Sequence, residues 1–323
     1  MTRGFWDNLP QPFFVLAPMA NVTDTVFRQI IRKYSRPDVM YTEFVSCDGL
    51  CSAGRERLLR DLQFVPAERP LVAQVFGATP EHFYETAKLV VSLGFDGIDI
   101  NMGCPDRAVV RQGAGAALIR TPLLAQAIVR ATRDGVRDAG SAIPVSVKTR
   151  LGFQADEAER WLPHLLELDL PALTVHARTK KELSEVPAHW DRLSAVVALA
   201  AGTSTHIIGN GDVTSIEDAR AKSAASGVDG VMLGRAIFGN PWLFRDNTER
   251  PPVPEVLRVV VEHTELYETT WGAAKPFDLM KKHYKAYVTG FPGAHELRIE
   301  LMACRDAESV RRTVESFLAD THR

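Results

Sequence analysis

Cysteine is scarce. Four cysteines in 323 residues cannot make a disulfide framework, which excludes the small stapled secreted scaffolds and points to a reducing compartment. Long apolar runs are missing as well: the longest are strand-length, far short of the roughly 20 residues a membrane helix needs, so no membrane span is expected. The first ten residues carry Arg3 and Asp7 and no apolar centre, so a secretory leader is not expected and a cytoplasmic location is assigned. Net charge is nearly absent, −2 from 38 basic and 40 acidic side chains. No global field draws this chain to nucleic acid, and RNA binding must use a local patch. Low-complexity tracts are lacking, and with 46% hydrophobic and 24% charged residues the signature of disorder is lacking too.

What is present is an alternation. Short apolar runs rich in β-branched residues occur at Phe13–Pro18, Val39–Phe44, Leu71–Gly77, Gly97–Gly103, Pro144–Arg150, Ala172–Arg178, His206–Gly211 and Gly230–Arg235. They are nearly continuous rather than alternating, as parallel strands covered on both faces should be. Helix-length segments lie between them. Pro80–Leu93 aligns Phe83, Ala87, Val90 and Val91, with Thr79 as its expected N-cap. Asp156–Leu168 aligns Trp161, Leu162, Leu165 and Leu166, and Thr214–Ser226 opens on a Thr214/Glu217 capping-box spacing. Eight βα units in about 250 residues predict an α/β fold of the TIM (β/α)8 barrel type, preferred here over a doubly wound open sheet.

Residues 1–246 are therefore assigned to the barrel and 247–253, polar and rich in proline, to a linker. Residues 254–323 read as a small all-helical domain. Leu279, Met280, His283, Tyr284 and Tyr287 mark one helical face, Val310, Val314, Phe317 and Leu318 another, and Gly290–Gly293 breaks the pattern between them.

A TIM barrel places its site at the C-terminal strand ends. There the sequence is polar: Glu43, Gln74, Asn101–Cys104, Lys148 and Arg150, His176 and Arg178, Asn210–Asp212, Gly234 and Arg235. Any one of these could be satisfied by a neighbour. Seven strands ending in polar residues on one face instead predict a site for a polar, planar, anionic ligand, since such groups cost several kcal/mol when buried unpaired. Asn210-Gly211-Asp212 and Gly234-Arg235 follow the last two strands, where barrels of this type often hold phosphate. Cys104, just past a strand, is aimed at the cavity, where cationic neighbours are expected to lower its pKa. Cys47, Cys51 and Cys304 lack such surroundings and read as structural. No metal site is expected.

On these residues the chain resembles the flavin-dependent tRNA-dihydrouridine synthases. The matching blocks run in order from LAPMANVTD (Leu16–Asp24), YTEFVS (Tyr41–Ser46), VAQVFG (Val72–Gly77) and DINMGCP (Asp99–Pro105) to GAGAALI (Gly113–Ile119) and VKTRLG (Val147–Gly152). They continue with TVHART (Thr174–Thr179), IGNGDV (Ile208–Val213) and GVMLGRAIFGNPWLF (Gly230–Phe244), and the tail matches in MKKHYKAYVTGFPGAHELR (Met280–Arg298). The resemblance implies a bound FMN, NADPH as reductant, and reduction of the C5–C6 bond of specific tRNA uridines. In that scheme flavin N5 delivers hydride to C6 and Cys104 protonates C5. Pro18, Met19, Ala20, Gln74, Lys148 and His176 match residues around the flavin ring. Asn210, Gly211, Asp212, Gly234 and Arg235 match the phosphate-end loops. Asn101 matches a residue beside the substrate base.

The target uridine must leave its stack to reach a barrel mouth. Arg107 and Arg178 are candidate substrate contacts, and Lys281, Lys282 and Lys285 form the basic cluster of the tail. Tyr284 and Tyr287 interleave with that cluster, but their spacing is that of a core stripe and that reading is preferred. The chain departs from the family pattern twice: Asp106-Arg107-Ala108 stand where a lysine is usual, and Lys180–Ser184 replace a loop with arginine, glutamine, tyrosine and glycine. The partner expected is tRNA and the expected state a monomer. The alternatives are a flavin barrel reducing another RNA, a free pyrimidine or an enone, and a non-catalytic RNA-binding flavoprotein.

Overall fold

The computed structural model describes residues 3–246 and 249–321. Two compact units separate within the chain: Met1–Thr25 with Pro37–Gly234, and Val26–Arg36 with Arg235–Arg323. This differs from the single expected cut around a linker at 247–253. Asn247 and Thr248 lie outside the described residues, and Val253 already begins a helix, Val253–Trp271. The early segment joins the second unit because its helix, Thr25–Tyr34, buries Val26 and Ile30 in that unit's core.

The first unit is a parallel barrel. Its strands are β1 (Phe13–Leu16), β2 (Val39–Tyr41), β3 (Val45–Ser46), β4 (Leu71–Phe76), β5 (Gly97–Asn101), β6 (Val145–Gly152), β7 (Ala172–Thr179), β8 (His206–Asn210) and β9 (Gly230–Leu233). Eight of them close in the order β1-β2-β4-β5-β6-β7-β8-β9, with β9 returning to β1 and β2 meeting β4 through Met40↔Leu71 and Tyr41↔Val72. The expected strand Val39–Phe44 divides in two. Thr42 Oγ1 accepts the Gln74 N–H at 3.1 Å and donates to the Glu43 carbonyl at 2.7 Å, so a side chain replaces the ladder and the chain swings out before β3 pairs with Val75 and Phe76.

Every second residue of a strand faces inward. Near the strand starts those residues are apolar: Phe13, Val15, Val39, Tyr41, Val72, Ala172, Ile208 and Met232 pack together around Trp6, which is 1% exposed on the short turn Gly4–Asn8. The tryptophan plugs this end with apolar mass. Toward the strand ends the inward positions turn polar, and the site is built there.

The helices follow the predicted faces, with corrections at their ends. Pro80–Leu93 stops at Gly94 in the left-handed region (φ 81°), but Thr79 makes no side-chain cap bond. Ala158–Leu166 is shorter than expected because Asp156 Oδ1 accepts the Ala158 N–H at 3.0 Å from outside the helix. Ile216–Ser226 is capped by Ser215, which accepts from the Asp218 N–H, so the capping pair lies one residue beyond the expected Thr214/Glu217.

In the second unit the helices Val253–Trp271, Lys281–Tyr287, Ala294–Ala303 and Ala307–Thr321 enclose Leu257, Tyr267, Tyr284, Tyr287, Leu301 and Val310. Tyr284 and Tyr287 are fully buried, which bears out the core reading and removes them as stacking platforms. Among the described residues no helix is long and apolar enough to cross a membrane.

Candidate active site

Strand register brings the predicted polar residues into one band. Gln74 pairs with Asp99, Asp99 with Ser146, Asn101 with Lys148, Arg150 with His176, and His176 with Asn210. Side chains join them. Gln74 Nε2 donates to Asp99 Oδ2 at 2.7 Å, and Asn101 Nδ2 donates to Gln74 Oε1 at 2.9 Å. Asn101 Oδ1 accepts the backbone N–H of Gly103 at 3.1 Å and of Cys104 at 2.8 Å. The motif Asn101–Pro105 is thus a loop whose own asparagine shapes it.

Other ties hold the same loop. Arg150 Nε donates to the Gly103 carbonyl at 2.7 Å, and Thr149 Oγ1 donates to the Met102 carbonyl at 3.1 Å. The Ala116 N–H reaches the Cys104 carbonyl at 3.0 Å. That approach needs glycine at 115: its φ is +58°, and a Cβ there would sit 2.8 Å from the Cys104 carbonyl oxygen. This gives the Gly113–Ile119 block a physical reason.

The electrostatics divide the acids from the bases. Burial raises the Asp99 carboxyl to about 6, against the opposing pull of the Ser146 and Gln74 donors and the Lys148 charge. Burial lowers Lys148 to about 8, Arg150 adds to the fall, and Asp99 and Cys104 oppose it. Lys148 has no ion-pair partner among the described residues. Cys104 is half-buried, and the expectation of a lowered pKa is corrected. Burial, aided by the Asp106 carboxylate, raises the thiol above its usual value despite the Asp106 N–H, Arg150 and Lys148. A thiol so placed keeps its proton.

A second cluster lies at the ends of β7 and β8. Arg178, expected as a substrate contact, is instead 2% exposed. It donates from Nε to the Val186 carbonyl at 2.7 Å, meets His176 Nε2 at 3.1 Å, and donates to the Asp212 carboxylate. Asp212 also accepts the Ala188 N–H at 2.9 Å, so both charges fix a loop. Gly211 (φ +129°) lies against His176: a Cβ there would come within 3.2 Å of the imidazole and 2.8 Å of Ala188 Cβ. Asn210 Nδ2 donates to the Met232 carbonyl at 2.8 Å.

The remaining expected residues are more scattered. Pro18 and Met19 are half-buried and Ala20 exposed in the turn after β1, where Met19 N–H donates to Thr23 Oγ1 at 3.0 Å. Gly234 lies near Ala17 and Met19, with room for a side chain at 3.6 Å or more. Arg107 is exposed, just past Asp106, which caps Arg107–Arg111. In the second unit Arg235 is exposed, Lys281 pairs with Asp278 at 2.6 Å, Lys282 is half-buried and Lys285 exposed. Of the cysteines read as structural, Cys47 and Cys304 are buried but Cys51 is exposed. Among the described residues no group of three or more metal-binding side chains could hold an ion.

Asp99 and Ser146 were not singled out from the sequence. Their signal was an aspartate and a serine inside apolar strands, at the same parity as Asn101 and Lys148.

The family model described as dihydrouridine synthase matches residues 15–321. The chain belongs to the dihydrouridine synthase family. Members of this family are flavin-dependent oxidoreductases. Among its similar relatives is the probable tRNA-dihydrouridine synthase 2 of Bacillus subtilis (strain 168), 38% identical over 322 residues, covering 98% of this chain and 97% of the relative. The probable tRNA-dihydrouridine synthase of Staphylococcus aureus (strain MRSA252) is 38% identical over 324 residues, covering 99% and 97%. Among solved structures, morphinone reductase aligns with a TM-score of 0.51 at 14% identity over 74% of this chain and 86% of its own. Histamine dehydrogenase from Rhizobium sp. 4-9 aligns at 0.53 and 14%, over 71% of this chain and 44% of its own. These two show the barrel fold that this chain shares with them.

Proposed function

We propose that this protein reduces the C5–C6 double bond of uridines in tRNA to 5,6-dihydrouridine, with FMN as bound cofactor and NADPH as reductant. The observation that carries the reading is the placement of Cys104: a half-buried thiol on a loop pinned by Asn101, its pKa raised by burial and its charge coupled to that of Lys148.

The residues present suit a flavin. Lys148 offers a positive charge with no internal ion pair to an anionic ring, and the Gln74 and Asn101 amides each use one N–H internally and retain another. Pro18, Met19, Ala20 and His176 would line the ring, while Asn210, Gly211, Asp212, Gly234 and Arg235 would serve the phosphate end. The chemistry such a cofactor supplies is two-electron reduction, with NADPH restoring the electrons.

Cys104 supplies the proton to C5 of the uracil, and water reprotonates the thiolate left behind. A raised thiol pKa favours this role, because the acid must hold its proton at neutral pH until the electrons arrive at C6. Asn101 orients the base, Arg107 reaches toward the RNA, and Lys281, Lys282 and Lys285 contact its backbone. Arg178 acts through His176 and Asp212 rather than on the substrate.

Two measurements test the reading. The purified protein should carry a yellow chromophore released as FMN, and RNA from a strain lacking the gene should lose dihydrouridine at one or more tRNA positions. Colourless protein, or an RNA with its full dihydrouridine content, overturns it.

A further inference from the structure

The loop that carries Cys104 presents two backbone donors, Gly103 N–H and Cys104 N–H, to a single acceptor, Asn101 Oδ1. An asparagine side chain has an acceptor end and a donor end. Turning the oxygen to the loop turns Nδ2 to Gln74, which must answer with Oε1. That in turn faces Gln74 Nε2 toward position 99, where an acceptor is required. Asp99 supplies it, and its other oxygen accepts the Ser146 hydroxyl at 2.7 Å. Every bond in the series therefore points away from the loop and ends on one fully buried group.

We propose that Asp99 is a positioning residue that sets the polarity of the Gln74 and Asn101 amides and so fixes the loop carrying Cys104. The proposal rests on the reading that this loop does chemistry. An ionised carboxylate has no hydrogen to donate, so it admits only one sense of the relay. A donor in its place would confront Gln74 Nε2 with another N–H, and reversing both amides would leave the Gly103 and Cys104 N–H groups facing an NH2. Asp99 does not touch the substrate. It acts through two amides on the backbone of the residue that does.

Ser146 makes the idea sharp. Its hydroxyl lies 2.7 Å from Asp99 Oδ1 and 3.4 Å from the Ile98 carbonyl. With Asp99→Asn, the introduced amide can keep its oxygen toward Gln74 if its NH2 is accepted by Ser146 Oγ, whose own hydrogen then turns to Ile98. The relay survives as long as the hydroxyl is there. Remove the hydroxyl as well, and the introduced NH2 loses the acceptor that let its oxygen stay toward Gln74.

The test is a double-mutant cycle read on the thiol, with no RNA, flavin or turnover involved. In a Cys51→Ser background, which removes the exposed cysteine, the alkylation rate of Cys104 by iodoacetamide is measured at pH 8. Asp99→Asn and Ser146→Ala are each expected to change it less than about threefold. The double variant is expected to react at least about tenfold faster, because a freed loop lets the thiol out of the burial that raises its pKa. Asp99→Leu should match the double variant, and the conservative pair remains decisive where Asp99→Leu does not fold. A double effect equal to the product of the singles, or Asp99→Asn alone as damaging as Asp99→Leu, overturns the proposal. Because the readout needs no reductase activity, its failure is distinguishable from failure of the proposed function.

Discussion

Arg178 and Asp212 neutralise one another at the ends of β7 and β8, the guanidinium buried at 2% exposure and the carboxylate at 33%. Removing Arg178 takes a buried guanidinium away from the Asp212 carboxylate, His176 and the Val186 carbonyl at once; breaking a fully buried pair costs about 3–5 kcal/mol, and less here because Asp212 is partly wet. Arg178→Ala is expected to lower the melting temperature clearly, while tRNA affinity measured on the folded variant changes little. A variant of unchanged stability with weakened tRNA binding would restore Arg178 as a direct contact.

Trp6 offers a cleaner stability prediction. It is 1% exposed and packs against Phe13, with ring centroids 5.7 Å apart, at the apolar end of the barrel. Trp6→Ala should destabilise by about 3–5 kcal/mol, the usual cost of emptying a large aromatic site. Denaturant titration checks this, and a loss below about 1 kcal/mol would mean that the plug is dispensable.

Much of this was legible in the sequence. Strand ends such as Gln74, Asn101 and Lys148 stood out because a polar residue inside an apolar parallel strand has few innocent explanations. The pairing of Arg178 was not legible for the same reason: a charge aimed at a ligand and a charge satisfied by Asp212 look alike in a string of letters. The helix Thr25–Tyr34 was not picked out from the sequence, and its allegiance to the helical unit was invisible because the residues that Val26 and Ile30 pack against lie more than 200 positions away. The cap at Ser215 was ambiguous because Thr214/Glu217 and Ser215/Asp218 share one spacing, and only backbone geometry chooses. Asp99 was hidden inside a motif, where its partners Gln74 and Ser146 are distant in sequence.

Cys104 should behave as an acid, not as a nucleophile. Cys104→Ala is expected to cut dihydrouridine formation by about 100-fold or more, the range general acid catalysis commonly supplies, with flavin content unchanged. Because burial raises the thiol, it holds its proton below that raised value and loses it as the pH climbs through it. The alkaline fall in activity should therefore lie above the usual cysteine value of about 8.5. A fall beginning near pH 7 contradicts the assignment.

The tail lysines should contribute charge without reading sequence. Lys282→Ala with Lys285→Ala is expected to weaken tRNA binding several-fold and to flatten its dependence on salt concentration, by about one in the log–log slope for each phosphate no longer neutralised. Turnover at saturating tRNA should survive. Filter binding at two or more salt concentrations decides it, and an unchanged slope places the RNA elsewhere.

Lys148 should make the binding of reduced flavin depend on pH. Its ordinary pKa near 10.5 is lowered to about 8, chiefly by burial. In the flavin-free protein the ammonium is therefore charged below pH 8 and mostly neutral above it. An anionic reduced flavin binds the charged form, so its apparent affinity falls as the charged fraction falls. At pH 9, one unit above the midpoint, about a tenth of the protein carries the cation, and the dissociation constant should be about tenfold higher than at pH 7. In Lys148→Met the group that titrates is gone: binding should be weak at pH 7 and nearly flat to pH 9. Anaerobic titration of reduced FMN at both pH values measures this. If the parent protein binds equally well at pH 9, the cation Lys148 presents is not what holds the reduced ring, and the electrostatic argument for its place in the site fails.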